Sequence, residues 1–323
     1  MSSLTPNNPN NAGKPTEPGY SIAGTNSAPA ESAAYGLQMD DALLAERNIG
    51  RILVEAGKIS AADVERVLEI QRSEGGFFGE AAAKLGLINA SDIQHALSTQ
   101  FGYPYLLSEH TIFSKELVSA YKPFGSESEA FRAVRSHLLF NWLSNDNKIL
   151  AVMSPEVGEG KSYIAANLAV VFAQLGKRTL LVDADLRQPR QHKIFNYETR
   201  VGLSAMLAGR VKREDLERLP ESVPFFTQLS VLGAGPVPPN PTELIGSPRI
   251  SLILKELRQY YDIIIIDTPA GNYTADMQAI ASVAGNALIV VRKDHTRTGA
   301  LTKLMQRLRT LNTRVVGSVL NQF

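Results

Sequence analysis

Residues 149–163 of this 323-residue chain, ILAVMSPEVGEGKSY, constrain its fold more than any other segment. An apolar run ends abruptly at a turn containing Gly158 and Gly160, and an amphipathic stretch begins at Lys161. A strand that leads into a glycine-containing loop and then a helix is typical of nucleotide-binding proteins, because backbone N–H groups and the helix N-terminus face the phosphates. The pattern predicts a phosphate-binding loop in which Lys161 contacts the β- and γ-phosphates and Ser162 binds magnesium.

The loop departs from the usual spacing of such motifs at one position. The pattern G-x-x-x-x-G-K-[ST] has a glycine where this chain has Pro155, and proline does not adopt the positive φ that glycine allows. A glycine-rich turn with a chance lysine is the alternative interpretation. If the loop binds phosphate, its nucleotide-binding residues are Pro155, Glu156, Val157, Gly158, Glu159, Gly160, Lys161, Ser162 and Tyr163.

Two further apolar stretches end in aspartates. The first, LLVDADLRQPR, contains Asp183 and Asp185, and the second, IIIIDTPA, contains Asp267. Parallel sheets place ligands at the carboxyl ends of their strands, so we expect these carboxylates beside the nucleotide phosphates. One carboxylate of the first pair would orient or deprotonate an incoming hydroxyl, while the other and Asp267 would anchor magnesium. Taken singly, each aspartate also fits a helix N-cap or a strand end.

Strands and helices alternate from residue 124 to residue 323. A parallel sheet that is covered on both faces requires near-continuous apolar strands, and the stretch IIIID is of this kind. The sequence therefore predicts a doubly wound α/β domain with a mostly parallel sheet over 124–323. The predicted strands are Lys148–Met153, Arg178–Asp183, Leu229–Gly233, Asp262–Asp267, Ala287–Val291 and Arg314–Leu320, and the predicted helices include Lys161–Leu175, Arg249–Tyr260, Ala275–Val283 and Gly299–Leu311.

The N-terminal part of the chain differs in composition. It opens with a segment rich in Asn, Pro, Ser, Thr, Gly and Ala, which buries too little apolar surface to fold, and we predict disorder over 1–44. Residues 48–71 then match residues 77–100, and each copy reads as a short helix, a glycine stop, a Ser or Asn cap and a second helix. The sequence predicts a small all-α repeat domain over 45–107 and a linker over 108–123.

Composition limits the classes of protein to which the chain can belong. It has no cysteine, which excludes disulfides and thiolate metal sites and fits a cytoplasmic protein. No apolar run approaches the roughly 18–20 residues of a membrane span, so we expect the chain to have no span of its own. Residues 1–122 carry 9 Lys+Arg and 14 Asp+Glu, so with a net charge of +1 the remainder is +6. That mildly basic part suits a nucleotide or an acidic partner better than duplex DNA, and we expect no nucleic-acid partner.

The order of phosphate loop, Asp-x-Asp and terminal Asp resembles that of the deviant P-loop ATPases. Further motifs are ExxRxxR at 129–135, DADLR, GPVPPNPTELIGS and the ending VLNQF. Together they resemble bacterial tyrosine kinases of exopolysaccharide biosynthesis, of the EpsG-type chain-length determinant class. The resemblance implies ATP and Mg²⁺ as cofactors and a protein tyrosine as substrate. It also implies a homo-oligomer, activation in trans by a membrane polysaccharide co-polymerase, and a location at the inner membrane through that partner.

The resemblance also implies roles for single residues. Lys161, Asp183 and Asp185 are then catalytic, with Asp183 as the base that activates the tyrosine hydroxyl. Ser162, Asp185 and Asp267 form the magnesium shell, and Glu129, Arg132 and Arg135 make subunit contacts. Independently of the resemblance, Arg292 and Asn321 follow strands at the same rim and are candidate nucleotide contacts.

The repeat domain resembles the N-terminal domain of type II secretion ATPases, some of which bind cyclic di-GMP. The repeats of that family open with an Arg-Leu-Gly-like step, whereas the corresponding triplets here are NIG at 48–50 and FFG at 77–79, and Arg47 lies one position too early. A cyclic di-GMP site and a protein-docking or spacer module are the two interpretations, and we expect the second.

Two other functions share the predicted site. A ParA/MinD-like ATPase typically has a signature lysine five residues before the loop lysine, where this chain has Glu156, and an acidic residue facing a partner's phosphates is repulsive. A nucleotide-gated scaffold would bind ATP with little phosphotransfer. The kinase family usually ends in a tyrosine cluster, but the last tyrosine here is Tyr273. The acceptor would then lie on another protein, or hydrolysis would be the output.

Overall fold

The computed structural model describes residues 49–106, 112–144, 146–271 and 275–322. The predicted disordered tail, 1–44, therefore lies outside the described residues, as does Tyr273. Residues 47–323 form one compact unit. In the ranges given above, no helix is both long enough and apolar enough to cross a membrane.

The first four helices form the predicted repeat. The helices come in two pairs, and the two helices of each pair are separated by a glycine with positive φ. The φ angle is 65° at Gly57 and 68° at Gly86. Ser60 and Asn89 each cap the second helix of a pair by accepting the N–H three residues later. The helices are α1 (Ile49–Glu55), α2 (Ala61–Glu74), α3 (Phe78–Lys84) and α4 (Ala90–Gln100). Both copies thus have the predicted helix–glycine–cap–helix order, because glycine and the capping side chains fix the chain reversals locally.

A seven-stranded sheet follows, with the strand order β3-β4-β2-β5-β1-β6-β7. All neighbouring pairs are parallel except β3 with β4. The strands are β1 (Ile149–Met153), β2 (Thr179–Asp183), β3 (Glu221–Ser222), β4 (Leu229–Leu232), β5 (Ile263–Asp267), β6 (Asn286–Arg292) and β7 (Arg314–Asn321). The predicted doubly wound α/β fold is confirmed. Only β3 was missed, because its two residues are exposed and too few to show a period.

Helices cover both faces of the sheet. On one face α5 (Val118–Tyr121), α6 (Ser126–Asn141) and α7 (Lys161–Gln174) pack over side chains from β1, β2 and β5. On the other face α9 (Leu203–Leu207), α11 (Arg249–Leu257), α12 (Ala275–Ala284) and α13 (Thr298–Thr310) pack over the alternate side chains. Two short helices, α8 (Gln191–Ile194) and α10 (Pro241–Ile245), follow the carboxyl ends of β2 and β4. Strands β1, β2 and β5 are buried at every residue, as the sheet's double cover requires.

The predicted linker, 108–123, contributes to this core where the structure describes it. Phe113, Leu117 and Ala120 are buried in the same hydrophobic cluster as α7. Asn167, fully buried on α7, accepts the N–H of Ser119 at 2.9 Å and donates to the carbonyl oxygen of Glu116 at 2.8 Å. The segment therefore packs as part of the sheet domain, because its apolar side chains cover α7. The boundary at 123/124 stays a prediction.

Replacing Asn167 with Ala should destabilise the fold by about 2–3 kcal/mol, because it leaves a buried N–H and a buried carbonyl without partners. Chemical denaturation of the whole chain measures this free energy of unfolding. Gln306→Ala, at an exposed position of α13, is the control and should change it by less than about 0.5 kcal/mol. Equal stabilities of the two variants would show that the 112–123 segment is not held through Asn167.

Candidate active site

The predicted phosphate loop connects β1 to α7 at the centre of the sheet. Gly158 and Gly160 have φ values of 79° and 94°, a conformation that suits glycine, and α7 begins at Lys161. The Ser154 hydroxyl donates to the carbonyl oxygen of Glu156 at 2.8 Å, which closes the turn around Pro155. The loop backbone therefore still depends on glycine at two positions, although the first position of the motif is proline.

Two predicted nucleotide contacts hold this loop from its outer side. Arg292, at the end of β6, donates to the carbonyl oxygen of Gly158 at 3.2 Å. Asn321, at the end of β7, donates to the carbonyl oxygen of Glu159 at 3.1 Å. Both loop carbonyls are thereby bonded to side chains from the ends of β6 and β7. The structure places the two side chains at the predicted rim, and their contact with the nucleotide base stays a prediction.

Glu159 is the fully buried acidic residue of the loop. One carboxylate oxygen accepts the backbone N–H of Glu156 at 2.7 Å, and the other accepts the hydroxyl of Thr296. Both carboxylate oxygens are thus bonded within the protein. Glu159 is therefore not an open acidic side chain that would repel a phosphate. Thr296 lies after β6, and no sequence pattern singled it out.

Glu156 also has a partner within the chain. Its Oε1 accepts from the Arg297 guanidinium at 2.5 and 3.1 Å, and this bond lowers the pKa of Glu156. Glu156 is the residue that stands where a ParA/MinD-like ATPase has its signature lysine. An acidic side chain paired within its own chain does not perform the role of that lysine.

The side chains at the start of α7 point in different directions. Lys161 is only 8% exposed, and burial lowers the pKa of its ammonium group, while the charges of Asp267 and Asp185 oppose that shift. Tyr163 packs edge-to-face on Phe131 of α6, with ring centroids 5.7 Å apart. Lys161 therefore lies among the predicted acidic residues, whereas the Tyr163 ring faces a neighbouring helix.

Asp183 lies at the carboxyl end of β2 and is fully buried. Its carboxylate accepts backbone N–H groups from Arg190 and Gln191, both at 2.9 Å, and from Asp185 at 3.3 Å. Burial, and next the charge of Asp267, raise the pKa of Asp183 well above its ordinary range. A carboxylate with a raised proton affinity at this rim suits the acceptance of a proton.

Asp267, at the carboxyl end of β5, pairs in register with Asp183 of β2. Its Oδ2 accepts from the Gln191 side chain at 2.8 Å. Burial raises the pKa of Asp267, while the Gln191 amide and the nearby Ser162 hydroxyl lower it. Its Oδ1 is buried and has no hydrogen-bond partner among the residues of the described ranges. An unpartnered buried carboxylate oxygen beside a hydroxyl and a lysine fits a hard cation such as Mg²⁺.

The residues present therefore fit the predicted magnesium site. Ser162, Asp185 and Asp267 supply oxygen atoms, and Asp185 is half-buried at the same rim. No cluster of three or more His, Cys, Asp or Glu side chains that could hold a metal occurs in the part of the chain that the structure describes. Magnesium bound with nucleotide needs few carboxylates, because phosphate and water complete its octahedron.

Two further polar residues of the site bond to parts of the chain that are distant in sequence. Arg187 donates to Asp276 at 2.9 Å and to Thr242 at 2.7 Å, which joins the loop after β2 to α12 and α10. Gln191 bridges Asp267 and the carbonyl oxygen of Ser162, at 2.8 and 3.1 Å. Neither contact follows a motif spacing, although the position of Arg187 in DADLR was the available clue.

The ExxRxxR residues lie on α6, away from the loop. Glu129 is exposed and pairs with Arg132 at 2.6 Å. Arg132 also donates to the Tyr103 hydroxyl at 3.2 Å, and Arg135 donates to the carbonyl oxygen of Val171 at 2.8 Å. Both arginines thus bind within the chain, and Glu129 alone of the three side chains is largely open to solvent. Their role in subunit contacts stays a prediction.

Known proteins are similar to this chain in sequence and in fold. A family model described as ParA, NUBPL iron-transfer P-loop NTPase, matches residues 145–322. The putative tyrosine-protein kinase CapB of Staphylococcus aureus is 37% identical over 201 residues, which cover 62% of this chain and 86% of CapB. The tyrosine-protein kinase YwqD of Bacillus subtilis is 35% identical over 207 residues, covering 64% and 86%.

Solved structures agree with these relatives. The kinase domain of Escherichia coli tyrosine kinase ETK has a TM-score of 0.60 and 31% identity, covering 64% of this chain and 79% of that one. The chimerical protein CapA2B2 has a TM-score of 0.59 and 34% identity, covering 70% and 97%. The family model spans more than half of the sequence, and the match to CapB extends over most of that kinase. The chain therefore belongs to the bacterial tyrosine kinases, a family with the P-loop NTPase fold.

Proposed function

We propose that this chain is an ATP- and Mg²⁺-dependent protein-tyrosine kinase that regulates exopolysaccharide chain length and export. The strongest support for this function is that Lys161, Asp183 and Asp267 lie together at one rim of the sheet. One Asp267 oxygen there is buried and has no partner among the described residues. Such a rim binds nucleotide phosphates and keeps a carboxylate beside them. CapB and YwqD, named as tyrosine kinases, share 37% and 35% of their aligned residues with this chain.

In the proposed reaction, the phenolic oxygen of an acceptor tyrosine forms a bond to the γ-phosphorus of ATP. The bond between that phosphorus and the β–γ bridging oxygen breaks, and ADP leaves with the bridging oxygen. The phenolic proton passes to the carboxylate of Asp183. Lys161 and the loop N–H groups bind the same phosphates. Ser162, Asp185 and Asp267 would hold magnesium, which would supply positive charge beside the phosphates.

The two competing functions have less support. A ParA/MinD-like ATPase lacks its signature lysine here, since Glu156 occupies that position and pairs with Arg297. A nucleotide-gated scaffold needs no proton-accepting carboxylate beside the phosphates, yet Asp183 ends β2 in register with Asp267. Phosphotransfer uses both the loop and this carboxylate.

Assembly with other chains forms part of the proposal. We place a membrane polysaccharide co-polymerase as the activator in trans, which would hold this kinase at the cytoplasmic side of the inner membrane. The resemblance to bacterial tyrosine kinases of exopolysaccharide biosynthesis supports a partner of this kind. Exposed Glu129 on α6 supports subunit contacts in a homo-oligomer, whereas Arg132 and Arg135 would have to leave their present partners. The repeat domain is proposed to dock onto protein rather than to bind cyclic di-GMP.

Lys161→Met should reduce phosphotyrosine formation to less than about 1% of wild type, because the phosphates lose a buried positive charge. The measurement uses the full chain, Mg·ATP and a copolymer of glutamate and tyrosine as acceptor, with phosphotyrosine detected directly. Lys303→Met, at an exposed position of α13, is the matched control and should keep wild-type transfer. Undiminished transfer by Lys161→Met would remove Lys161 from the mechanism.

Asp183→Asn should lower the transfer rate by about 10²-fold or more while ATP affinity changes by less than about threefold. The amide oxygen still accepts the N–H groups of Arg190 and Gln191, but it does not take the phenolic proton. Single-turnover transfer and calorimetry with Mg·ATP measure the two quantities. Asp215→Asn, at an exposed site, serves as the control. A transfer rate equal to wild type in Asp183→Asn would rule out its role as the base.

A further inference from the structure

Gln191 is a neutral polar residue that is completely buried beside the acidic side chains of the site, and the proposed reaction gives it no role. It begins the short helix α8, which follows β2. Its side-chain nitrogen, Nε2, donates to Oδ2 of Asp267 at 2.8 Å and to the carbonyl oxygen of Ser162 at 3.1 Å. Its backbone N–H donates to Oδ2 of Asp183 at 2.9 Å. One residue thus contacts the proposed base and two of the proposed magnesium ligands.

The partners of the Gln191 amide decide its orientation. An amide has a nitrogen end that only donates hydrogen bonds and an oxygen that only accepts them. The two atoms next to Nε2 are a carboxylate oxygen of Asp267 and the carbonyl oxygen of Ser162, and both are acceptors. The opposite orientation would place the amide oxygen against two other oxygens. Each hydrogen of the amide nitrogen is therefore given to one of these two acceptors.

Gln191 occupies only one of the two carboxylate oxygens of Asp267. Its bond goes to Oδ2, whereas Oδ1 is buried and has no hydrogen-bond partner among the residues that the structure describes. A hydrogen bond to one oxygen restricts rotation of the carboxyl group, and this restriction also fixes the direction of the other oxygen. A buried carboxylate oxygen of this kind suits a hard cation. The Gln191 amide thus orients the oxygen of Asp267 that the proposed magnesium site needs.

The same amide ties Asp267 to helix α7. Ser162 is the second residue of α7, and its carbonyl oxygen accepts the other hydrogen of the amide nitrogen. Burial raises the pKa of Asp267, and the Gln191 amide and the Ser162 hydroxyl oppose that shift, so both groups lie beside the carboxylate. Asp267 ends β5, whereas Ser162 belongs to a helix that covers the sheet. One amide therefore holds two proposed magnesium ligands from different elements relative to each other.

The amide also carries a cost that a purely structural residue would avoid. Its oxygen, Oε1, is buried and has no hydrogen-bond partner within the described ranges, and a buried acceptor without a partner is unfavourable. The amide is not needed to hold Asp183, because the backbone N–H groups of Arg190 and Gln191 do so with any side chain at position 191. The side chain of Gln191 therefore serves Asp267 and Ser162, and its backbone serves Asp183.

We propose that Gln191 is a positioning residue for the magnesium site: its amide holds Asp267 and Ser162 in the arrangement that binds the metal together with the nucleotide. The inference rests on the proposed kinase function and adds to it a residue that acts through the metal ligands instead of being one. Hydrogen-bond partners of metal ligands commonly contribute about 10- to 100-fold to metal affinity. Gln191 should contribute in the same range, through the metal and not through the nucleotide itself.

Gln191→Met tests this role, because methionine has nearly the length of glutamine but donates no hydrogen bond. Calorimetry on the full chain measures the affinity for ADP once with saturating Mg²⁺ and once with EDTA, and the ratio of the two affinities reports the contribution of the metal. Gln191→Met should lower this ratio by about tenfold or more, because Asp267 and Ser162 are no longer held together. The affinity in EDTA should change by less than about threefold. A merely structural role would weaken both affinities alike and leave the ratio unchanged.

Gln306→Met, at an exposed position of α13, is the matched control and should keep the wild-type ratio. If Gln191→Met does not fold, Gln191→Asn replaces it, since its amide is one methylene too short to reach both acceptors, and the same loss is expected. An unchanged ratio in the folded variant would overturn the role of Gln191 while leaving the kinase proposal intact. Failure of wild type to bind ADP under either condition would instead overturn the proposed function itself.

Discussion

Two buried carboxylates side by side at the carboxyl edge of the sheet are the constraint on which the rest of the site depends. Asp183 and Asp267 are in register on neighbouring strands, and burial raises the pKa of both. Burying like charges is costly unless hydrogen bonds and opposite charge compensate them. Backbone N–H groups from Arg190 and Gln191, the Gln191 amide and the Lys161 ammonium supply that compensation. The segment after β2 is therefore fixed by the same groups that serve the chemistry.

The phosphate loop is fixed from outside by comparable means. Glu159 bonds to the loop's own backbone and to Thr296, and Arg292 and Asn321 take two loop carbonyls. These bonds hold the loop in place before an anion binds, which is the preorganisation that phosphoryl transfer requires. Two short segments, after β6 and at the end of β7, close this side of the site.

Helix α7 links the nucleotide site to the N-terminal part of the chain. Its first residue is Lys161, and its last, Gln174, accepts from the Tyr103 hydroxyl at 2.8 Å and donates to the carbonyl oxygens of Pro104 and Ser119. Tyr103 in turn accepts from Arg132 of the ExxRxxR helix. The residues that follow the repeat domain are thus bonded to the helix that begins at the phosphate loop. A change at Tyr103 therefore acts on both α6 and α7.

The sequence by itself determined the helical repeat, six of the seven sheet strands to within one residue and the positions of Lys161, Asp183 and Asp267. These features depend on short-range chemistry: apolar strands, glycines with positive φ, and side chains at strand ends. Only the tertiary structure decided which side chains complete the site. Gln191 meets Asp267 across 76 positions, Thr296 meets Glu159 across 137, and Arg297 meets Glu156 across 141. It also packed the predicted linker into the core. Such partners have no fixed spacing in the chain, because strand order in the folded sheet, and not the order of residues, brings them together.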